Sequence, residues 1–174
     1  MAVINTADDK LEHPQNHGTL GGWRVLRLAK LISIASGDDD GSKFLIAELP
    51  AEAILDEITL EVAAITGGSA YDVGIYDVAG TAIDADKFAA NLDLSSTTGL
   101  PTGPLGAPIR QAMVDLNPDE VNKMLYELAG HVNKTFPASG ETLKASKYRI
   151  VLTADTIGSV AADIIARVQY RMAV

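Results

Sequence analysis

The sequence of 174 residues contains no cysteine, which excludes disulfides, thiolate metal sites and cysteine nucleophiles. Aromatic residues make up only 5%, whereas a glycan-binding sandwich would usually expose several rings around a pocket. No apolar run reaches the length of a membrane span. The first 20 residues lack the basic and apolar segments of a secretion signal. We therefore expect a chain made in the cytoplasm, without a membrane partner, and stabilised by a packed core or by subunit contacts.

Basic residues are also few, with 14 Lys and Arg against 23 Asp and Glu and a net charge of -9. Binding to nucleic acid needs clustered Lys and Arg that displace counterions from phosphates, so we expect no direct nucleic-acid partner. The content of 47% hydrophobic and 21% charged residues is typical of a globular protein. The length fits one domain.

Two alternating segments close the sequence, KYRIVLTA (147–154) and VAADIIARVQYRM (160–172). In the second segment one face carries Ile164, Ala166, Val168, Tyr170 and Met172, and the other carries Ile165, Arg167, Gln169 and Arg171. That alternation is typical of a half-buried antiparallel strand. We interpret the two segments as paired strands and predict a mainly β protein.

Earlier segments also favour strands. Residues 23–36 and 43–49 form two apolar runs joined by a turn at 37–41, and Pro50 ends the second run. In the first run, Val25, Leu28, Leu31 and Ile32 also have helical spacing, so a helix is the alternative to a strand there. Residues 50–55 are predicted to form one short helical turn. Residues 57–66 place Ile58, Leu60 and Val62 on one face, and residues 71–78 place Val73 and Ile75 inward. The turn at 67–69 makes these last two segments the best predicted hairpin.

The middle of the chain is less regular. Residues 79–94 fit either a short helix or an irregular excursion that ends in a strand, and the Pro- and Gly-rich residues 95–110 predict a long loop. A helix is predicted over 118–129, since Asn117 can cap it and Pro118 suits its first position. The helix would bury a stripe of Val121, Met124, Leu125 and Leu128, and Gly130 would end it.

The polar, aperiodic residues 1–20 predict an extended N-terminal arm, and residues 21–174 predict a single domain. The arm is either a disordered tail or a strap that docks on a neighbouring subunit. On the second reading, the candidate interface residues are Leu11, His13, Leu20 and Trp23. For Trp23, burial in the core is the alternative to a role as interface anchor.

Candidate metal sites fail on their spacing. His13 and His17 have the i, i+4 spacing of a helical metal site, but Pro14 and Gly18 oppose a helix there. Asp38, Asp39 and Asp40 with Gly41 resemble part of a calcium loop. With Asp38 as position 1, position 12, where such a loop needs a glutamate, is Leu49. We predict no metal site.

Catalytic motifs are also lacking in the sequence. It contains no GxSxG elbow and no phosphate-binding GxxxxGK[ST] loop. Carboxylate pairs of the kind used by glycosidases carry no specificity in a chain with 23 acidic residues. We therefore expect that the protein is not an enzyme and has no catalytic residues and no cofactor.

Three segments carry a family resemblance: DEITLEVAAITGGSAYDVGIYDVAGTAID (56–84), KMLYELAG (123–130) and KYRIVLTADTIGSVAADIIARVQYRM (147–172). Together they resemble a group of small proteins encoded beside the major capsid gene in tailed bacteriophages. The shared features are a D-x-G-x-Y pattern (Asp72, Gly74, Tyr76), a helix that ends in E-L-A-G (Glu127 to Gly130), and Ile157-Gly158 in the turn between two terminal strands. The resemblance covers about residues 23–174.

The resemblance implies a capsid decoration, or cement, protein built as an antiparallel β-sandwich of jelly-roll type. Its implied partner is the major capsid protein on the outside of the expanded head, with virion localisation after synthesis in the host cytoplasm. A homo-oligomer is implied, and a trimer is compatible with threefold sites. Two alternatives stay open: a tail or connector component, and a glycan- or receptor-binding module.

Overall fold

The computed structural model describes residues 4–5, 15–20, 23–62, 65–95, 109–110, 122–158 and 161–173. Strands, numbered in chain order, dominate them: β1 (Ile4–Asn5), β2 (Gln15–Leu20), β3 (Trp23–Ile34), β4 (Lys43–Pro50), β5 (Ile54–Val62), β6 (Ala70–Tyr76), β7 (Ala82–Leu92), β8 (Ile109–Arg110), β9 (His131–Val132), β10 (Thr142–Leu143), β11 (Lys147–Thr156) and β12 (Ala162–Ala173). A short helix, α1, spans Leu125–Leu128. The predicted mainly β fold is confirmed.

The longer strands form two five-stranded sheets that pack into a sandwich. The first sheet has the order β1-β4-β11-β6-β7 and the second has the order β2-β3-β12-β5-β8. Pairing is antiparallel except between β1 and β4. The edge strands β1 and β2 come from the first 20 residues. Both sheets therefore gain a strand from the segment predicted as an arm.

Consecutive long strands mostly lie in opposite sheets, which corrects two predicted pairings. β5 pairs with β12 and β8, while β6 pairs with β11 and β7. The predicted hairpin of residues 57–66 and 71–78 is therefore wrong. β11 and β12 do not pair either, since β11 lies between β4 and β6 and β12 lies between β3 and β5. The turns at these places carry the chain across the sandwich and not back along the same sheet.

Two of these crossing turns pack directly against each other. Gly67 and Gly158 both have positive φ, 78° and 89°, a conformation open to glycine at little cost. A Cβ on Gly158 would lie 2.6 Å from the Thr66 carbonyl oxygen and 2.8 Å from the Gly68 nitrogen. The two crossings thus meet backbone to backbone, which only glycine permits.

The core lies between the two sheets, and the alternation read from β12 is correct. Ile164, Ala166, Val168 and Tyr170 are buried, and the residues between them are half-buried or exposed. Val73 and Ile75 point inward as expected. Three buried tyrosines satisfy their hydroxyl groups: Tyr71 donates to the Ile157 carbonyl, Tyr76 bonds to the Thr153 hydroxyl, and Tyr148 lies beside His131.

The D-x-G-x-Y pattern of β6 positions β7, the neighbouring edge strand of the first sheet. A Cβ on Gly74 would clash with the carbonyl groups of Asp84 and Ala85. Asp72 accepts the backbone N–H of Asn91 at 2.7 Å. The register of β6 and β7 shifts between Val73, which pairs with Ala89, and Ile75, which pairs with Asp84. Residues 79–94 are thus a turn and a bulged strand, and the helical alternative is wrong.

Two further local predictions need correction. Residues 50–53 form a single β-turn closed by Ala53 N–H to the Pro50 carbonyl, not a helical turn. Ile109 and Arg110, assigned to a long loop, pair with Glu61 and Leu60 as β8. The rest of that loop lies outside the described residues, apart from Ser95.

The predicted helix 118–129 is shorter than expected. Asn122 has a φ of 68°, and Met124 is extended and bridges to Ile54, so that α1 begins only at Leu125. Residues 117–121, which include the predicted cap, lie outside the described residues. Gly130 follows the helix with a φ of 70°, as the predicted left-handed end requires.

Candidate interaction surface

The antiparallel strands give the sandwich two ends of different character. One, the acidic end, is formed by the connections at 35–42, 65–69 and 157–158 and includes Asp38, Asp39 and Asp40. The other, the loop end, is formed by the turns at 50–53 and 77–81 and by the segment 122–146. The long irregular segment makes the loop end the richer candidate for an interaction surface.

The structure brings together only some of the interface residues predicted from sequence. Leu20, the last residue of β2, pairs with Trp23, the first residue of β3, and Trp23 also pairs with Ala173 of β12. These backbone positions lie at the loop end. Leu11 and His13 lie outside the described residues. A role for the four residues in an interface stays a prediction.

Segment 122–146 is fixed to the β4–β5 turn by backbone hydrogen bonds. Leu125 N–H donates to the Ala53 carbonyl, Tyr126 N–H donates to the Ala51 carbonyl, and Ala51 N–H donates to the Ser146 carbonyl. Lys144 forms an ion pair with Glu52 and lies 5.5 Å from the centre of the Tyr126 ring. The segment is therefore packed onto the domain and belongs to it.

Within this segment, residues 131–144 form a closed loop. β9 and β10 pair in parallel, His131 with Thr142 and Val132 with Leu143. Between them, Glu141 accepts hydrogen bonds from Lys134 Nζ at 2.6 Å and from Ala138 N–H at 2.7 Å. The bond from Lys134 holds the pKa of Glu141 below its usual value. One carboxylate thus ties both arms of the loop together.

The closed loop displays Phe136, which is 88% exposed. Leu143 at the end of the loop and Val78 in the turn at 77–81 are each 47% exposed. Scattered exposed aliphatic residues are ordinary, but an almost fully exposed phenyl ring on a braced loop is not. Sequence reasoning missed Phe136, and the only signal was its place between Lys134 and the turn residues Pro137 and Gly140.

A shallow, open cleft of about 550 Å³ adjoins the loop. Its walls come from α1, β9 and the first residues of the loop: Lys123, Tyr126, Glu127, Gly130, His131, Val132, Asn133 and Lys134. Glu127 is held in place because its carboxylate accepts the Met124 N–H at 2.8 Å. The cleft combines one aromatic ring, one aliphatic side chain and charges of both signs.

A partly buried hydrogen bond fixes the base of the loop. His131 Nδ1 lies 2.7 Å from the Tyr148 hydroxyl, which also accepts the Ala145 N–H at 3.1 Å. Burial lowers the pKa of His131 and raises that of Tyr148. The imidazole is therefore neutral at physiological pH, and its Nδ1 can accept a hydrogen bond from the Tyr148 hydroxyl.

The acidic end has a different electrostatic character. Partial burial, with the nearby carboxylate of Asp72, raises the pKa of Asp155. Asp40 accepts the Ile157 N–H at 3.0 Å, and burial raises the pKa of Tyr71 to about 12, with a smaller contribution from the Asp40 charge. Among the described residues, no group of three or more His, Asp or Glu side chains could hold a metal ion. In the same part of the chain, no helix is long and apolar enough to span a membrane.

Comparisons with known proteins give two similar solved structures. The chain is similar to a chain of the cyanophage Pam1 capsid asymmetric unit, with 14% identity, a TM-score of 0.49 and 99% coverage of both chains. It is also similar to a chain from the capsid of Ralstonia phage GP4, with 11% identity, a TM-score of 0.48, and coverage of 100% of this chain and 92% of that one. No family model and no curated protein matches the sequence.

Proposed function

We propose that this protein is a structural protein of a phage virion, a decoration or cement protein that binds the outside of the expanded head. The observation that carries the proposal is the sequence resemblance to proteins encoded beside phage capsid genes, whose D-x-G-x-Y pattern and Ile157-Gly158 turn are packing elements of the sandwich. The loop end supports it, because an irregular segment fixed to a rigid sandwich is a common place for binding a protein partner.

The strand order supports the jelly-roll form of the sandwich. Leaving aside β1 and β2, the two sheets read β3-β12-β5-β8 and β4-β11-β6-β7. Successive strands alternate between sheets, apart from β6 and β7, which are neighbours. This order is the one expected of an interlocked pair of four-stranded Greek keys, and it supports the jelly-roll form.

Selective binding explains how such a protein would act. A ligand stabilises one state of a shell only as far as it binds that state more tightly than the other. Many symmetric copies add up through avidity even where each binds weakly. The net charge of -9 also keeps the protein from packaged DNA, since like charges repel.

Co-sedimentation tests the proposal. Purified protein is mixed with expanded heads and, separately, with unexpanded procapsids of the source phage. We expect saturable binding to the expanded heads only, with the ratio at saturation giving the copy number. Equal binding to both shells, or binding to neither, would contradict the cement function and favour a tail component or a receptor-binding module.

A further inference from the structure

We propose that two copies of this protein associate around a twofold axis at the loop end, with Phe136 of each copy inserted into the cleft of the other. The inference rests on the chain alone and not on the proposed function. Phe136, the knob of this interface, follows the cleft residues Asn133 and Lys134 by only three and two positions in the sequence. They therefore belong to one surface, which can contact a second copy of itself reciprocally, as a twofold interface requires.

The cleft suits the chemistry of a phenyl ring. It is a shallow, open groove of about 550 Å³, which is large enough for one face of a phenyl ring to lie against it. Tyr126 offers an aromatic partner, and Lys123 and Lys134 supply cations that are attracted to the face of a ring. Burying Phe136 there would also remove the most exposed large apolar side chain among the described residues from water.

Charge favours a second copy at this end of the molecule. The net charge of -9 opposes self-association in general. At the loop and cleft, however, two lysines, Lys123 and Lys134, stand against two glutamates, Glu127 and Glu141. Two such surfaces can face each other without net repulsion, whereas two acidic ends would meet Asp38, Asp39 and Asp40 on both sides.

The loop is also rigid before it binds. Glu141 already ties Lys134 and Ala138 together, and Lys144 N–H donates to the Val132 carbonyl at 3.0 Å. Holding the knob in place in the free protein lowers the entropy lost on association. A flexible tip would lose that advantage.

Sedimentation equilibrium of the full chain over a range of concentrations tests the proposal. We expect the mass to rise from that of one chain to that of two chains as the concentration increases. The dissociation constant should be at least about 30-fold higher for Phe136→Ser than for the wild type. Val78→Ser is the matched control, since Val78 is also exposed near the loop end but lies outside the cleft, and it should leave the constant unchanged. A chain monomeric at all concentrations, a mass above two chains, or equal effects of the two variants would overturn the proposal.

The absence of native cysteine allows a second test of the geometry. Pro137→Cys and Asn133→Cys variants, each carrying one exposed thiol and keeping Phe136, are mixed under oxidising conditions. A disulfide between different chains requires Cα atoms within about 7 Å, so we expect a crosslinked product from this mixture. A mixture of Val78→Cys with Asn133→Cys should give none. Equal crosslinking in both mixtures would overturn the reciprocal arrangement.

Discussion

Gly74 lies directly beneath the Ala85 carbonyl group, so that the backbone of β7 occupies the space that any larger side chain at Gly74 would need. On either side of this contact, Asp72 binds the Asn91 N–H and Tyr76 bonds to Thr153. The D-x-G-x-Y pattern that carried part of the family resemblance therefore has a structural function. Asp72 and Gly74 fix the bulged edge strand β7 beside β6, and Tyr76 ties β6 to β11.

Replacing Gly74 by alanine should destabilise the fold. The added methyl group meets backbone atoms, which cannot rotate away, so we expect a loss of about 1–3 kcal/mol in the free energy of unfolding. Denaturant unfolding measures it. Gly37→Ala is the matched control, because a Cβ there meets nothing within 4 Å. A Gly74→Ala protein as stable as the Gly37→Ala protein would contradict the close approach of β7.

Acidification should weaken the base of the closed loop through His131. Its folded-state pKa is lowered from 6.5 by burial, so the unfolded chain takes up the proton first. The contribution to stability is complete above pH 6.5 and is lost as the pH falls through the lowered value. The stability difference between wild type and His131→Gln should therefore shrink between pH 7.5 and pH 5. A difference independent of pH would mean that His131 acts only through packing.

Asp155→Asn should stabilise the protein at neutral pH. The raised pKa of Asp155 means that its charged form is disfavoured in the folded state, first by burial and then by Asp72. The gain should disappear below pH 3.8, where the carboxyl group is protonated in both states. Thermal unfolding at pH 7 and pH 3 measures the effect, with Asp39→Asn in the same end as control. A gain from Asp39→Asn as large as that from Asp155→Asn would point to net charge and not to local repulsion.

Glu141→Ala should loosen the Phe136 loop without unfolding the domain. The change removes both the ion pair with Lys134 and the bond from the Ala138 N–H. We expect faster hydrogen exchange at residues 133–144 and unchanged exchange in β11 and β12. Thr142→Ala, an exposed neighbour in β10, is the control. Unchanged exchange in the loop would show that the backbone pairing of β9 with β10 is sufficient to hold it.

Deleting residues 1–20 should leave the body folded but weaken its binding to expanded heads. The deletion removes β1 and β2, which are edge strands, and leaves β3 and β4 paired with β12 and β11. Circular dichroism reports the fold, and co-sedimentation reports the binding. Deleting residues 1–10 removes β1 alone and separates the two contributions. Unchanged capsid binding by the protein that lacks residues 1–20 would exclude a strap function for these residues.

The sequence predicted strand positions well because alternation along a strand depends on its own residues. Ile164 to Met172 and Val73 to Ile75 face as expected. It did not predict strand pairing, since the turns at 67–69 and 157–161 look alike whether the chain folds back or crosses to the other sheet. The sequence did not predict the positive φ at Asn122 either, and because of it the helix begins only at Leu125.

The candidate surface was harder to predict than the fold. Phe136 is a single aromatic ring in an irregular segment, and no periodicity distinguishes its exposed state from burial. Its significance depends on Glu141, Lys144 and Tyr148, which brace the loop from positions later in the chain. Such a site arises only once the fold has brought these residues together.

The crossing connections also set the order in which the molecule can form. The central strands β11 and β12 each lie between two strands made much earlier, β4 with β6 and β3 with β5. Neither sheet is continuous before residues 147–173 have emerged from the ribosome. Pairings over such sequence distances carry a large loop-closure entropy and slow the folding reaction. A nascent chain that stops before β12 would leave the edges of β3 and β5 unpaired. Pairing of β12 with these two strands is therefore the step that commits the protein to its native state.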